Sequence, residues 1–212
     1  MNNCLFCDFS KNKNYVCDAG NFYILVGKGI ITDGHCMIVS KKHYSCFGEM
    51  DTKLLSEYKE LKDRLIKFIE KKYSKPFVLE HGVFGQSVFH AHSHFIPSCS
   101  GSYRYVNIIN DMVFPAIKKW NFKFSYPKDV SDLSNFFNVH KEYLYFEQDS
   151  QKILLNTNGY DIKKVKFDII YRQFFLKLGL QGIGNWKEMT DEEKKNDKIK
   201  IINTKNGLLD FV

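Results

Sequence analysis

Residues 90–94 read His90-Ala91-His92-Ser93-His94, three imidazoles alternating with two small residues. In an extended strand, residues two apart point to the same face, about 6.5 to 7 Å apart along it. The alternation therefore predicts a strand over residues 88–96, ended by Pro97, with three imidazoles in a row on one side. A buried imidazole without a partner costs about 1 to 3 kcal/mol. One such histidine would read as a hydrogen-bonded core residue, whereas three in alternation read as chemistry. Two chemistries compete: metal ligation, for which imidazole is a common donor, and nucleophilic catalysis, in which neighbours set the tautomer of an attacking ring.

The surrounding pattern predicts a sheet for that strand. The apolar run 22–26 and the run 36–39 are two strands joined across Lys28-Gly29 and an Asp33-Gly34 turn. Residues 51–73 predict a helix: Leu54, Tyr58, Leu61, Leu65 and Phe68 recur at spacings of four and three. Asp51 or Thr52 caps its start, and Lys71-Lys72 suit the negative end of its dipole. Residues 77–80 form a further strand. The order strand, strand, helix, strand, strand implies an α+β unit with an antiparallel sheet and one packed helix. Residues 1–20 show no period and read as irregular.

Beyond residue 105 the pattern changes to a mixed α/β extension, giving a first unit over 1–105 and an extension over 106–212 packed on it. A helix is predicted over 106–119, kinked or ended by Pro115. A hairpin is predicted from Tyr143-Leu144-Tyr145-Phe146 and Lys152-Ile153-Leu154-Leu155, and a second helix over 167–178 ended by Gly179. Residues 187–200 are highly charged and read as exposed.

Charge and cysteine content narrow the function classes. The net charge of +7 comes from 31 basic and 24 acidic residues, and it is shared by both halves rather than gathered in a tail. Arg64, Arg104 and Arg172 are the only arginines, which argues against a dedicated nucleic-acid reader and suits an anionic small molecule. No apolar run reaches the roughly 18 residues of a membrane helix, and the polar start lacks a secretory signal, so a cytoplasmic location is expected. Reduced thiols are then the expectation for the six cysteines. Cys4-x-x-Cys7 has the spacing of two zinc thiolates; with no second such pair, further ligands would have to be histidines. The alternative is two ordinary buried thiols.

Together these segments resemble the histidine triad (HIT) family of hydrolases and transferases. The resemblance rests on Gly85-Gln86-Ser87-Val88-Phe89-His90-Ala91-His92-Ser93-His94-Phe95-Ile96-Pro97, on Gly34-His35-Cys36-Met37-Ile38-Val39-Ser40-Lys41-Lys42-His43, and on Cys4-Leu5-Phe6-Cys7. It implies a HIT-like sheet and a homodimer in which the sheets of two subunits join. It also implies residue roles. His92 matches the nucleophile that forms a nucleotidyl-histidine at the α-phosphate of an adenylate. His94 matches the residue that orients it, and His35 a histidine near the phosphate. Gln86 and Ser87 match contacts to the phosphate and leaving group, and Glu80 a contact to the sugar. His43 and His90 match the histidine ligands of zinc-bearing relatives, completing a structural Cys2His2 site with Cys4 and Cys7.

Some positions depart from the family pattern. Gly27 stands where relatives often carry Asp or Asn for the ribose hydroxyls, and Ile30 and Asp33 replace prolines. Phe22 and Ile24 lie where a base pocket would form, with plain core as the competing reading. Arg172 is a candidate anion contact from the extension. The implied activity is a nucleotide hydrolase or nucleotidyl transferase cleaving a P–O or P–N bond next to AMP. Dinucleoside polyphosphates, acyl-adenylates and nucleoside phosphoramidates are all candidate substrates. A zinc-stabilised nucleotide-binding protein without turnover is the alternative, and AMP removal from DNA ends is a third reading that the even charge spread disfavours.

Overall fold

A computed structural model describes residues 4–9, 12–98, 106–165, 172, 175–176, 179 and 186–211. Its centre is one eight-stranded antiparallel sheet in the order β1-β2-β3-β5-β4-β7-β8-β6. The strands are β1 Tyr15–Ala19, β2 Phe22–Leu25, β3 Cys36–Ser40, β4 Pro76–Glu80, β5 His92–Pro97, β6 Lys123–Ser125, β7 Tyr143–Gln148 and β8 Gln151–Asn156. β1 corrects the irregular reading of residues 1–20. Among its five residues, Tyr15-Val16-Cys17-Asp18-Ala19, only Cys17 is buried, and the apolar run is too short and too unpatterned to separate from the irregular entry.

α1 (Thr52–Lys72) forms where the apolar spacing placed it. The Asp51 carboxylate accepts the Leu54 amide at 2.9 Å, closing its first turn. Leu55, Tyr58, Leu61, Leu65 and Ile69 are buried against Phe22, Ile24, Val78 and Phe95 of the sheet. Leu54 and Phe68 lie at the margin of that contact. α3 (Asp132–His140) adds Leu133 to the same layer.

The opposite face of the sheet is divided. Over β4, β7 and β8 it is covered by Ile108, Ile109, Met112, Val113 and Ile117. Here the helix expected over 106–119 begins as a π-helical turn, Ile109–Val113, before α2 (Phe114–Trp120). Pro115 has no amide to donate, and the widened turn, in which the Phe114 amide reaches Ile109 O, absorbs that loss. Over β2, β3 and β5 the same face carries Tyr23, Leu25, Met37 and Val39, which pack with Phe6 of the N-terminal segment.

β7 and β8 form the expected hairpin, and β7 also pairs with β4, placing Val78 opposite Glu147 and Glu80 opposite Tyr145. A short helix, α4 (Ile162–Val165), follows. Of the helix expected over 167–178, most residues lie outside the described ones; Arg172, Phe175 and Leu176 have helical backbone. Most of the loop after Ser98, including Cys99, also lies outside them. The charged stretch 187–200 is exposed as read, save for buried Met189 and Asp197 and half-buried Lys200, and from Asp191 it forms the first part of a helix, α5 (Asp191–Leu208). A capping box starts it, with Thr190 Oγ1 accepting the Glu193 amide and Glu193 accepting the Thr190 amide. Asp197, Ile201, Thr204 and Leu208 are buried on one side of it. Among the described residues, no helix is long and apolar enough to cross a membrane, and Cys4, Cys7, Cys17, Cys36 and Cys46 are free thiols.

Candidate functional site

β5 begins at His92, not at residue 88 as the alternation suggested. The His90 amide turns back to Val88 O at 2.9 Å and the Ala91 amide bonds Tyr44 O at 2.8 Å, so residues 88–91 run outside the strand. His92 and His94 stay two apart on one face, their ring centroids 5.1 Å apart. His90 instead turns toward the N-terminal segment, and the three rings are divided between two sites.

The first site is a donor cluster. Cys4 Sγ, Cys7 Sγ, His43 Nδ1 and His90 Nδ1 all lie within 4.8 Å of one another. His90 Nδ1 is 3.3 Å from Cys4 Sγ, 3.6 Å from Cys7 Sγ and 3.2 Å from His43 Nδ1. Bonds of about 2.3 Å to sulfur and 2.0 to 2.1 Å to nitrogen give a tetrahedron with edges of about 3.3 to 3.8 Å, so this spacing fits a single tetrahedral ion. The ring of His90 is also set for it. Nε2 lies 2.7 Å from Ser40 O, an acceptor, which puts the proton on Nε2 and leaves the Nδ1 lone pair facing the cluster.

The second site is a cleft of about 700 Å³ on the open part of the sheet face. His92 and His94 from β5, His35 from the β2–β3 loop and Ser87 line it. Burial holds the rings neutral, pushing His92 down to about 4, His35 to about 3 with help from the nearby Arg172 charge, and His94 well below its usual value. With all three neutral, the hydrogen bonds assign their tautomers. His92 Nδ1–H donates to His90 O at 2.6 Å, leaving the Nε2 lone pair free. The Ile31 amide donates to His35 Nδ1 at 3.1 Å, so His35 carries its proton on Nε2. That Nε2 is 3.1 Å from His94 Nδ1, which therefore accepts and leaves His94 with its proton on Nε2. The cleft thus holds one unprotonated ring nitrogen beside a ring N–H donor.

Several residues read from the sequence stand elsewhere. Phe22 and Ile24 do not line the cleft; their side chains are fully buried on the α1 face, and their neighbours Tyr23 and Leu25 take the cleft face. Glu80 shares the α1 face, fully buried, where its carboxylate accepts the Phe47 amide at 3.1 Å. Gln86 turns away to donate to Ser45 O at 2.9 Å, so of the Gln86-Ser87 pair only Ser87 reaches the cleft. Arg172 does reach it, and donates to Gly29 O at 2.6 Å.

The remaining walls were not read from the sequence. Phe6 stands at the rim with its ring 5.3 Å from that of His92, because Cys4 and Cys7 bring it there. Lys13, Lys28 and Trp186 are further lining residues, the Lys28 ammonium lying 5.5 Å from the Trp186 ring centroid. With Arg172 they make the wall cationic, Asp8 being the acidic residue among them.

The chain resembles several solved structures. One is a hypothetical histidine triad nucleotide-binding protein of Sulfolobus tokodaii (25% identity, 50% of this chain and 74% of that one, TM-score 0.43). A Zn-bound histidine triad family protein of Mycobacterium smegmatis shares 18% identity over 49% of this chain and 80% of its own, with a TM-score of 0.42. A HIT family protein of Bacillus anthracis also shares 18% identity, over 57% and 94%, with a TM-score of 0.42. No curated protein matches the chain significantly. The family model described as "Protein similar to CwfJ C-terminal" matches residues 1–108, just over half of the 212. The α+β fold is the one expected, and the chain belongs to the family of proteins similar to the CwfJ C-terminal region.

Proposed function

We propose that the protein is a HIT-type hydrolase or nucleotidyl transferase that works at the α-phosphate of an adenylate through a nucleotidyl-His92 intermediate. The observation that carries this reading is the 2.6 Å bond from His92 Nδ1–H to His90 O, which leaves Nε2 unprotonated in a cleft with a cationic wall. In the first step the Nε2 lone pair forms a bond to phosphorus while the P–O or P–N bond to the leaving group breaks. The leaving group takes its electron pair and a proton from solvent, and Ser87 matches the contact to that group. In the second step water, or another acceptor hydroxyl, attacks phosphorus and releases its proton to solvent. The P–N bond to His92 then breaks and AMP or an adenylyl product departs. His94 Nε2–H and the cations Lys28 and Arg172 stabilise charge on the phosphoryl oxygens as it develops. Dividing one displacement into two is what a covalent nucleophile contributes.

The same reading takes Cys4, Cys7, His43 and His90 as a structural zinc site. Zinc bound there would tie the N-terminal segment, and with it Phe6, to the sheet beside His92. It further takes residues 1–105 as the HIT domain and 106–212 as an extension folded onto it, supported by the pairing of β7 with β4. A homodimer joined through the sheet would have to use β1 or β6, the two end strands.

The test is incubation with a fluorogenic adenosine phosphoramidate and with diadenosine tetraphosphate, followed by intact-mass analysis of acid-free quenched protein. Turnover and a transient increment of one AMP on His92 are expected. AMP binding with neither turnover nor increment would favour the alternative of a zinc-stabilised nucleotide-binding protein.

A further inference from the structure

The loop between β2 and β3 carries His35, Lys28 and Gly27 into the cleft, and three of its backbone amides are held by another part of the chain. The Gly29 and Ile30 amides donate to the two carboxylate oxygens of Asp197, at 2.9 and 3.0 Å. The Gly34 amide donates to Thr204 Oγ1 at 3.0 Å. Asp197 and Thr204 both belong to α5, more than 160 residues along the chain from the loop. Between these two clips the Ile31 amide meets His35 Nδ1, and the His35 amide returns to Thr32 O at 3.1 Å.

The choice of residues on α5 is informative. Its buried face is Asp197, Ile201, Thr204 and Leu208, two polar positions alternating with two apolar ones. Thr204 is fully buried and Asp197 is 5% exposed. Taking a carboxylate out of water is expensive unless hydrogen bonds replace its hydration, and an apolar side chain would have packed a helix against a loop without that cost. A carboxylate taking two successive amides does something a leucine cannot: it fixes the direction of the next amide, that of Ile31.

We propose that Asp197 and Thr204 are positioning residues for the imidazoles of the cleft. Held from α5, the loop presents the Ile31 amide to His35 Nδ1, so His35 keeps its proton on Nε2 and gives it to His94 Nδ1. His94 in turn keeps its Nε2 proton for the phosphoryl oxygen. If the loop relaxes, Nδ1 of His35 is released and the ring can take the other tautomer. His94 then donates from Nδ1, and its Nε2 turns a lone pair toward the substrate anion. The C-terminal helix thereby acts on the chemistry without touching substrate. This inference rests on the proposed reading of the cleft.

The test uses the full-length zinc-loaded protein with 15N-labelled histidine. Long-range 1H–15N spectra report the tautomer of each ring, and steady-state turnover of the adenosine phosphoramidate is measured alongside. Asp197→Asn is nearly isosteric but offers one acceptor and turns an NH2 against the second amide. Thr204→Val removes the hydroxyl at constant shape, and Thr204→Ser restores it. We expect His35 and His94 to be Nε2-protonated in the wild type and His35 to be a mixture of tautomers in Asp197→Asn and Thr204→Val. In those two variants kcat falls about 10-fold with KM changed less than about twofold, and Thr204→Ser returns both readouts to wild type. A His35 ring unchanged in folded Asp197→Asn and Thr204→Val overturns the proposal, whether or not kcat falls. A wild type that turns over no nucleotide defeats the reading of the cleft instead, and the ring spectra still decide the role of Asp197 and Thr204.

Discussion

The carbonyl oxygen of His90 lies 2.6 Å from Nδ1 of His92, so the residue that faces the thiols also sets the tautomer of the ring that faces the cleft. Two residues of backbone join the two sites. Replacing His92 by Asn removes the ring nitrogen but leaves a side chain of similar breadth. Turnover of the adenosine phosphoramidate is expected to fall at least 10³-fold, in line with the loss of a nucleophile, while AMP binding changes only a few-fold. Stopped assays measure the turnover and calorimetry the AMP binding.

The four-residue donor cluster makes a prediction about stability. One zinc per chain is expected by elemental analysis, falling to zero in Cys4→Ser or Cys7→Ser. Free zinc at 1,000-fold its Kd stabilises the fold by about 4 kcal/mol, so chelation should lower the melting temperature by a corresponding amount. Because Cys4 and Cys7 flank Phe6, the same treatment should weaken AMP binding.

Glu80 supplies a pH test. Burial pushes its carboxyl up to about 7, against the opposing pull of the Tyr143 hydroxyl and the Phe47 and Gly82 amides. The folded protein therefore holds a proton that the unfolded chain releases near the ordinary value of 4.5. Stability is greatest below that value and declines as pH rises through 7. Glu80→Gln cannot titrate, and the decline should flatten. At pH 8 the variant should exceed the wild type by on the order of 3 kcal/mol, and at pH 4 the two should coincide, by denaturant melts.

How much of this was legible in the sequence depends on where each signal resides. α1 was legible because Tyr58, Leu61 and Leu65 fall on one helical face behind an Asp51 cap. The histidines and the Cys4-x-x-Cys7 pair were legible because residue type and spacing are local. The run 22–26 was legible as a strand but not as to side: five consecutive apolar residues have no alternation, so Phe22 and Ile24 could not be separated from Tyr23 and Leu25. α5 was illegible because half of its buried face is polar, although Thr190-x-x-Glu193 marks its start. The wall contributed by Trp186 depends on its approach to Lys28, more than 150 residues away, to which no local pattern points.

β7 is fastened to α1 by an ion pair. The Lys62 ammonium, 2% exposed, lies 2.7 and 2.9 Å from the Glu147 carboxylate of β7, which also accepts the Tyr145 hydroxyl at 2.7 Å. Lys62→Met strands that carboxylate and should cost about 3 to 5 kcal/mol, whereas Lys62→Met with Glu147→Leu should recover most of the loss. Chemical denaturation of the two single variants and the double variant checks this.

The seam between β4 and β7 sets unlike residues face to face: valine against glutamate, leucine against phenylalanine, glutamate against tyrosine. A seam made by two identical chains about a twofold axis repeats every change on both sides, so each side chain must tolerate its own copy. Here the two strands lie in one polypeptide and each can vary alone. The junction is thus free to hold the lopsided, charged pairing seen at Glu147 without a mirrored counterpart.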